Sequence, residues 1–286
     1  MTSDQSCPTY YVTIKASGSI LDPELELVAP TFGGEPIAVA NETRLDLFDG
    51  QIVLLFSGSR LVVFVPEPRD KFPYYPFIYF LMYRSRVHYN IISPDWQSFP
   101  EAIAATSEVV FSLERLIQRS REEVLDGVSR RVTWQEAVPY QLAMTARELE
   151  DLMTLCTPQL YLALAYFLIG CENRRYFLVE YFKAVEAIEG AFQGESGLLE
   201  TLASHGVVAA DYKRLKRYAN DQQQPFDIGR HAPNGMAELR TIDVRRLVEE
   251  PLSRQVFQDS IRAVRQAIDG YFAYLIATRN AANRAG

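Results

Sequence analysis

Histidine and cysteine are scarce, with three of each in 286 residues. His88, His205 and His231 stand far apart and show no H-x-x-H, H-E-x-x-H or E-x-x-H spacing. A metal site needs several such ligands converging, so no metal is expected. A di-iron carboxylate bundle falls with the same observation, because its Glu-x-x-His pairs are missing. Glu186 and Glu189, three apart, read as a solvated helix face. Cys7, Cys156 and Cys171 are an odd number without C-x-x-C spacing, which sets aside a disulfide framework and a thiolate zinc site. Cys156 and Cys171 fall in apolar helical stretches and read as packing residues, in a chain expected in the reducing cytoplasm. The glycines at 18, 33, 34, 50 and 58 match neither G-x-G-x-x-G nor the Walker pattern, and no G-x-S-x-G elbow occurs. No cofactor is expected. The most apolar run, 160–170, is shorter than the roughly 20 residues of a spanning helix, and the N-terminus carries no signal pattern, so no membrane is expected. Positive charge is also in short supply. Lys and Arg total 29 against 36 Asp and Glu, a net charge of -7, which argues against broad non-specific binding to nucleic acid.

Apolar residues are plentiful, and their rhythm changes along the chain. At 48% hydrophobic the chain can bury one large core or two smaller ones. Residues 11–15, 24–28 and 43–48 alternate with period two and predict strands, with a turn at Asp49-Gly50. The apolar runs 51–56 and 60–65 around Ser57 predict a central hairpin of a mostly antiparallel sheet. Residues 72–92, rich in Tyr and Phe, fit helix and strand equally. Helix signals begin near Pro100, with Ser98 as a cap and a stripe of Ile103, Val110, Leu113, Leu116 and Ile117. After Trp134 everything outside the loops reads as helix. Thr145 and Glu148 have capping-box spacing, and Pro158 opens a helix toward Ile169. A last helix after Pro251 carries Phe257, Ile261, Val264, Ile268, Tyr271 and Leu275 on one face and is expected to fray at 281–286. The expectation is an α+β protein, with a β-rich N-terminal domain at 1–130 and an α-helical domain at 131–286.

The centre of the helical half is an amphipathic helix expected at 173–192, with Phe177, Tyr181, Ala184, Val185, Ile188 and Phe192 on its apolar face. Gly190 and Gly194 are expected to take the left-handed conformations that stop it, and 194–197 reads as a turn. A second helix is expected at 209–219. Its cations Lys213, Arg214, Lys216 and Arg217 fall on two faces, so only some can address one partner. The loop that follows, 220–235, carries Pro, Gly and Asn-Gly signals together with the adjacent pair Arg230 and His231. The functional reading makes His231 a general base and Arg230 a phosphate clamp, with Lys213, Arg217 and Asn220 as ligand or phosphate contacts. The structural reading, which takes precedence, pairs Arg230 with Asp227 or Asp243 and lets His231 pin the loop through backbone bonds. His88 and His205 read as structural.

The segments RYFLVEYFKAVEAIE at 175–189, DYKRLKRYAN at 211–220 and GRHAP at 229–233 resemble the bacterial methylamine-utilisation protein J-like family, whose helical half is similar to HEPN domains. The resemblance covers about 150–280. It implies a HEPN-like helical bundle that dimerises or binds a protein partner. In active HEPN domains it implies a metal-independent ribonuclease whose Arg is followed four to six residues later by His. Here Arg230 and His231 are adjacent, so that catalytic pair does not carry over. Relatives without the pair act as binding or assembly modules. The expectation is therefore a cytoplasmic, non-enzymatic accessory or interaction protein. The alternative is a metal-independent ribonuclease or nucleotide-binding sensor that uses Arg230 and His231, with RNA or a nucleotide as the less favoured partner.

Overall fold

The computed structural model describes residues 10–20, 37–39, 42–57, 60–65, 74–85, 87–91, 97–98, 140–142, 144–172, 177–220 and 251–285. These fall into two compact units. The first takes the described residues within Met1–Ile20, Leu27–Tyr74 and Arg84–Glu150, the second those within Tyr75–Tyr83 and Asp151–Gly286. The expected domain boundary at 130–131 lies outside the described residues, as do the strand expected at 24–28 and the helical stripe from Ile103 to Ile117. The chain is α+β: an antiparallel sheet precedes a helical C-terminal region.

In the first unit, β1 (Tyr10–Ile20), β3 (Glu42–Leu47), β4 (Ile52–Ser57), β5 (Arg60–Val65) and β6 (Val87–Ile91) form one sheet in the order β3-β4-β5-β1-β6. The short β7 (Gln97–Ser98) also pairs with β1. Every pairing is antiparallel, and the expected hairpin is the central β4–β5 pair, with Leu54 opposite Val63 and Phe56 opposite Leu61. Leu47, Val53, Leu54, Phe56, Leu61, Val63 and Val65 are all buried. Between β3 and β4 the chain turns through Phe48, Asp49 and Gly50, all at positive φ. Phe48 has a Cβ to accommodate there, and its N–H is held by a 2.8 Å bond to the Glu150 carboxylate. A second sheet pairs β2 (Ile37–Val39) with β8 (Tyr140–Leu142), so the chain after Trp134 is not helix throughout. The stretch that fitted helix and strand equally contains both, α1 (Tyr74–Ser85) and then β6. The capping box opens α2 (Ala146–Leu155): the Glu148 N–H donates to Thr145 Oγ1 at 3.1 Å and the Thr145 N–H donates back to Glu148 Oε2 at 3.0 Å.

The second unit packs α3 (Pro158–Glu172), α4 (Phe177–Glu189), α5 (Glu195–Leu202), α6 (Ala209–Asn220) and α7 (Pro251–Ala285). Aromatic rings fill its core. Phe167 stacks on Tyr181 at 5.6 Å, and Phe257 meets Phe177 edge-on at 5.1 Å. Gly170 makes the α3–α4 approach possible, because a Cβ there would stand 2.5 Å from the Tyr181 ring. Thr157 caps α3 through the Leu160 N–H and shares a 3.1 Å hydrogen bond with the Tyr271 hydroxyl. Burial is the main cause that raises the Tyr271 pKa.

Three local expectations need correction here. Gly190 is not left-handed; of the two glycines only Gly194 takes positive φ, with Gln193 before it. The segment read as a turn at 194–197 begins α5, because Leu198 and Leu202 are both buried and draw the chain into a helical turn. The C-terminal tail continues as helix to Ala285. Among the described residues no single helix is long and apolar enough to cross a membrane.

Candidate functional site

The site is built on α6. Tyr212, Leu215 and Ala219 face the core and are buried, which fixes the helix rotation and decides where its four cations go. Arg214 turns toward α7 and lies 3.2 Å from Asp259 and 3.6 Å from Asp211. Asp259, 6% exposed, also accepts hydrogen bonds from Gln255 and Tyr218 and faces Arg262 at 3.7 Å. That cluster ties α6 to α7. Lys216 turns the other way, donating to Glu189 at the end of α4 at 2.8 Å and to Glu195 at the start of α5 at 2.9 Å. Its ammonium also lies over the rings of Phe182 and Tyr212 at 5.8 and 5.5 Å. Burial alone would lower the Lys216 pKa, but the hydrogen bonds and charges of Glu189 and Glu195 outweigh it, and the net shift is upward.

Lys213 and Arg217 remain. They are exposed, one turn apart, with Asn220 a further turn on. Together with Lys216 and Glu195 they line an open, shallow depression of about 490 Å³. Among the described residues, neither Lys213 nor Arg217 has a carboxylate within ion-pair distance; Arg217 lies 5.7 Å from the ring of Tyr218. The three candidate phosphate contacts therefore share one face. The other two candidate site residues, Arg230 and His231, lie outside the described residues, as do Asp227 and Asp243. Lys216 and Glu195 line the depression without having been singled out. Lys216 was legible as one of four clustered cations, whereas Glu195 sat in a segment read as a turn.

Chemically, the depression offers ammonium, guanidinium and amide donors and one carboxylate, a set that holds an oxyanion. Among the described residues no histidine or cysteine lines it. His205 lies edge-on to Tyr274 at 5.9 Å, a packing role. Cys171 is buried with its sulfur 3.4 Å from the Tyr181 hydroxyl, and burial pushes the Cys156 thiol up to about 11, so neither is an activated nucleophile. Among the described residues no group of three His, Cys, Asp or Glu side chains is placed to hold a metal ion. Comparison with protein-family models, curated proteins and solved structures gave no match.

Proposed function

We propose that the chain is a non-enzymatic cytoplasmic accessory protein whose helical part, a HEPN-like bundle, pairs with a second copy through the exposed apolar face of α3. The observation that supports this is the chemistry of that face. Between 158 and 171 the helix carries no charged residue, and its outward side presents Pro158, Tyr161, Leu162, Ala165, Tyr166 and Ile169. Leu162 is 42% exposed and Ile169 44%. A helix on the surface of a monomer carries polar residues outward, and one apolar all round is covered. The patch extends onto α1, where Tyr79 stacks on Tyr161 at 5.5 Å and Tyr75 beside it is 53% exposed. Lys183, paired with Glu180 and lying 5.4 Å from the Tyr166 ring, gives the patch a polar rim. A stable homodimer buries about 800 Å² per partner. The proposed seam includes the α1 tyrosines beside the α3 stripe. An uncharged face suits a two-fold pairing, in which the same patch meets itself. Sedimentation equilibrium tests the reading: twice the 32.5 kDa chain mass is expected, falling to one chain in Leu162→Glu/Ile169→Glu. A parent protein that stays monomeric at about 100 μM refutes it.

A second reading, a metal-independent ribonuclease or nucleotide-binding sensor using Arg230 and His231, draws support from the basic depression that immediately precedes their loop in sequence. It requires RNA cleavage with EDTA present that is lost in His231→Ala while the circular dichroism spectrum is unchanged.

A further inference from the structure

We propose that the face carrying Lys213, Arg217 and Asn220, with Lys216 and Glu195 at its edge, binds the phosphate of a small ligand. The argument begins with how α6 distributes its charge. Arg214 and Lys216 are each held by two carboxylates, whereas Lys213 and Arg217 stand side by side, exposed, with none among the described residues. Like charges one turn apart destabilise a helix, so an anion settling between these two relieves a repulsion as well as forming new bonds. Arg217 lies in the last turn, where the carbonyl end of the helix favours a cation. Lys213, one turn earlier, has no such compensation. Asn220 adds amide donors at the end of the same face. Glu189 and Glu195 hold the Lys216 ammonium at 2.8 and 2.9 Å, so that wall of the depression is formed without a ligand.

Size and charge select the class of ligand. The depression is open and shallow, so it can contact a compact charged group rather than enclose a ligand. The chain as a whole carries a charge of -7 and Glu195 stands in the lining, so a long polyanion would run over an acidic molecule while a compact phosphate would not. The inference shares residues with the ribonuclease reading but needs neither Arg230 nor His231, so RNA cleavage can fail while the phosphate site stands.

Equilibrium dialysis of the full chain against inorganic pyrophosphate, with adenosine monophosphate as a second arm, tests it. One saturable site is expected, weakening as sodium chloride rises from about 50 to about 200 mM. Tighter binding of the monophosphate would assign the phosphate to a nucleotide. Tighter binding of pyrophosphate would assign it to an inorganic diphosphate or polyphosphate. Lys213→Gln/Arg217→Gln, both exposed positions, should weaken binding about tenfold. Arg284→Gln, about 37 Å further along α7 than Asp259, should leave it unchanged. Absence of saturable binding up to roughly 10 mM, or equal binding by the double variant, overturns the proposal. It is also overturned if a short oligoribonucleotide binds more tightly than either probe and loses that affinity in the double variant.

Discussion

Replacing Lys216 with methionine isolates one charge from the packing of its stem, because the apolar part of the side chain is retained. Lys216 Nζ makes two charge-assisted hydrogen bonds, at 2.8 and 2.9 Å, and its side chain is 25% exposed, with Glu189 at 16% and Glu195 at 34%. An open surface pair contributes about 0.2–1 kcal/mol, and partial burial of two shared bonds with two ring contacts places the sum near 2 kcal/mol. The variant also leaves Glu189 and Glu195 facing each other across the α4–α5 junction, a repulsion the parent does not have. Urea unfolding followed by circular dichroism should show a midpoint lowered by roughly 1 M with an unchanged slope. The difference should shrink as salt screens the charges. Its pH dependence has a definite sign. The folded chain holds the ammonium proton more tightly than the unfolded chain does, so the stabilisation is complete below the ordinary lysine value of 10.5 and drains away as pH rises through the higher folded value. Comparing parent and variant cancels the tyrosines that also ionise there. A loss below about 0.3 kcal/mol, or a difference that does not change between neutral and strongly alkaline pH, would show that the three side chains are simply solvated.

Gly197→Ala should destabilise by more than about 2 kcal/mol, because the new Cβ would collide with the Phe192 carbonyl oxygen and backbone must shift. Gly190→Ala, whose nearest neighbour is a carbonyl oxygen at 3.4 Å, should be neutral or stabilise by up to about 1 kcal/mol; equal melting temperatures for the two variants would contradict the packing described. Thr145→Ala removes the acceptor for the Glu148 N–H and should cost about 1 kcal/mol in urea unfolding, with no change if the cap is dispensable. Alkylation of Cys156, followed by peptide mass spectrometry against pH, should have its rate midpoint near 11; a midpoint below the ordinary 9.0 would mean the thiol is not buried as described.

The parts of the fold that the sequence declared are those whose signal is local. The capping box at Thr145 and Glu148 involves residues three apart, and the β4–β5 hairpin joins two neighbouring apolar runs. What it concealed depends on distant partners. β8 has three residues, too few for alternation to register, and exists because Leu142 pairs with Ile37 at the other end of the unit. α5 begins with Gly194, Glu195, Ser196 and Gly197, a turn composition, and is helical because Leu198 and Leu202 find a core. α1 gave no period to read, since Phe77, Ile78, Phe80, Leu81, Met82 and Tyr83 are all buried and the less buried side is Tyr75, Pro76 and Tyr79, so no charged stripe marks it.

The same division governs the candidate site. DYKRLKRYAN shows that four cations occupy two faces of one helix, but it cannot show which of them will meet a carboxylate. That depends on Glu189 and Glu195, 27 and 21 positions before Lys216, and on Asp259 beyond the loop. The bundle places those carboxylates over Arg214 and Lys216 and leaves Lys213 and Arg217 in solvent. The charges that hold α6 and those that remain for a ligand are therefore sorted by tertiary packing. Loss of Lys216 should accordingly disturb phosphate binding indirectly, by releasing Glu195 at the depression's edge, whereas loss of Lys213 should weaken binding with no loss of stability.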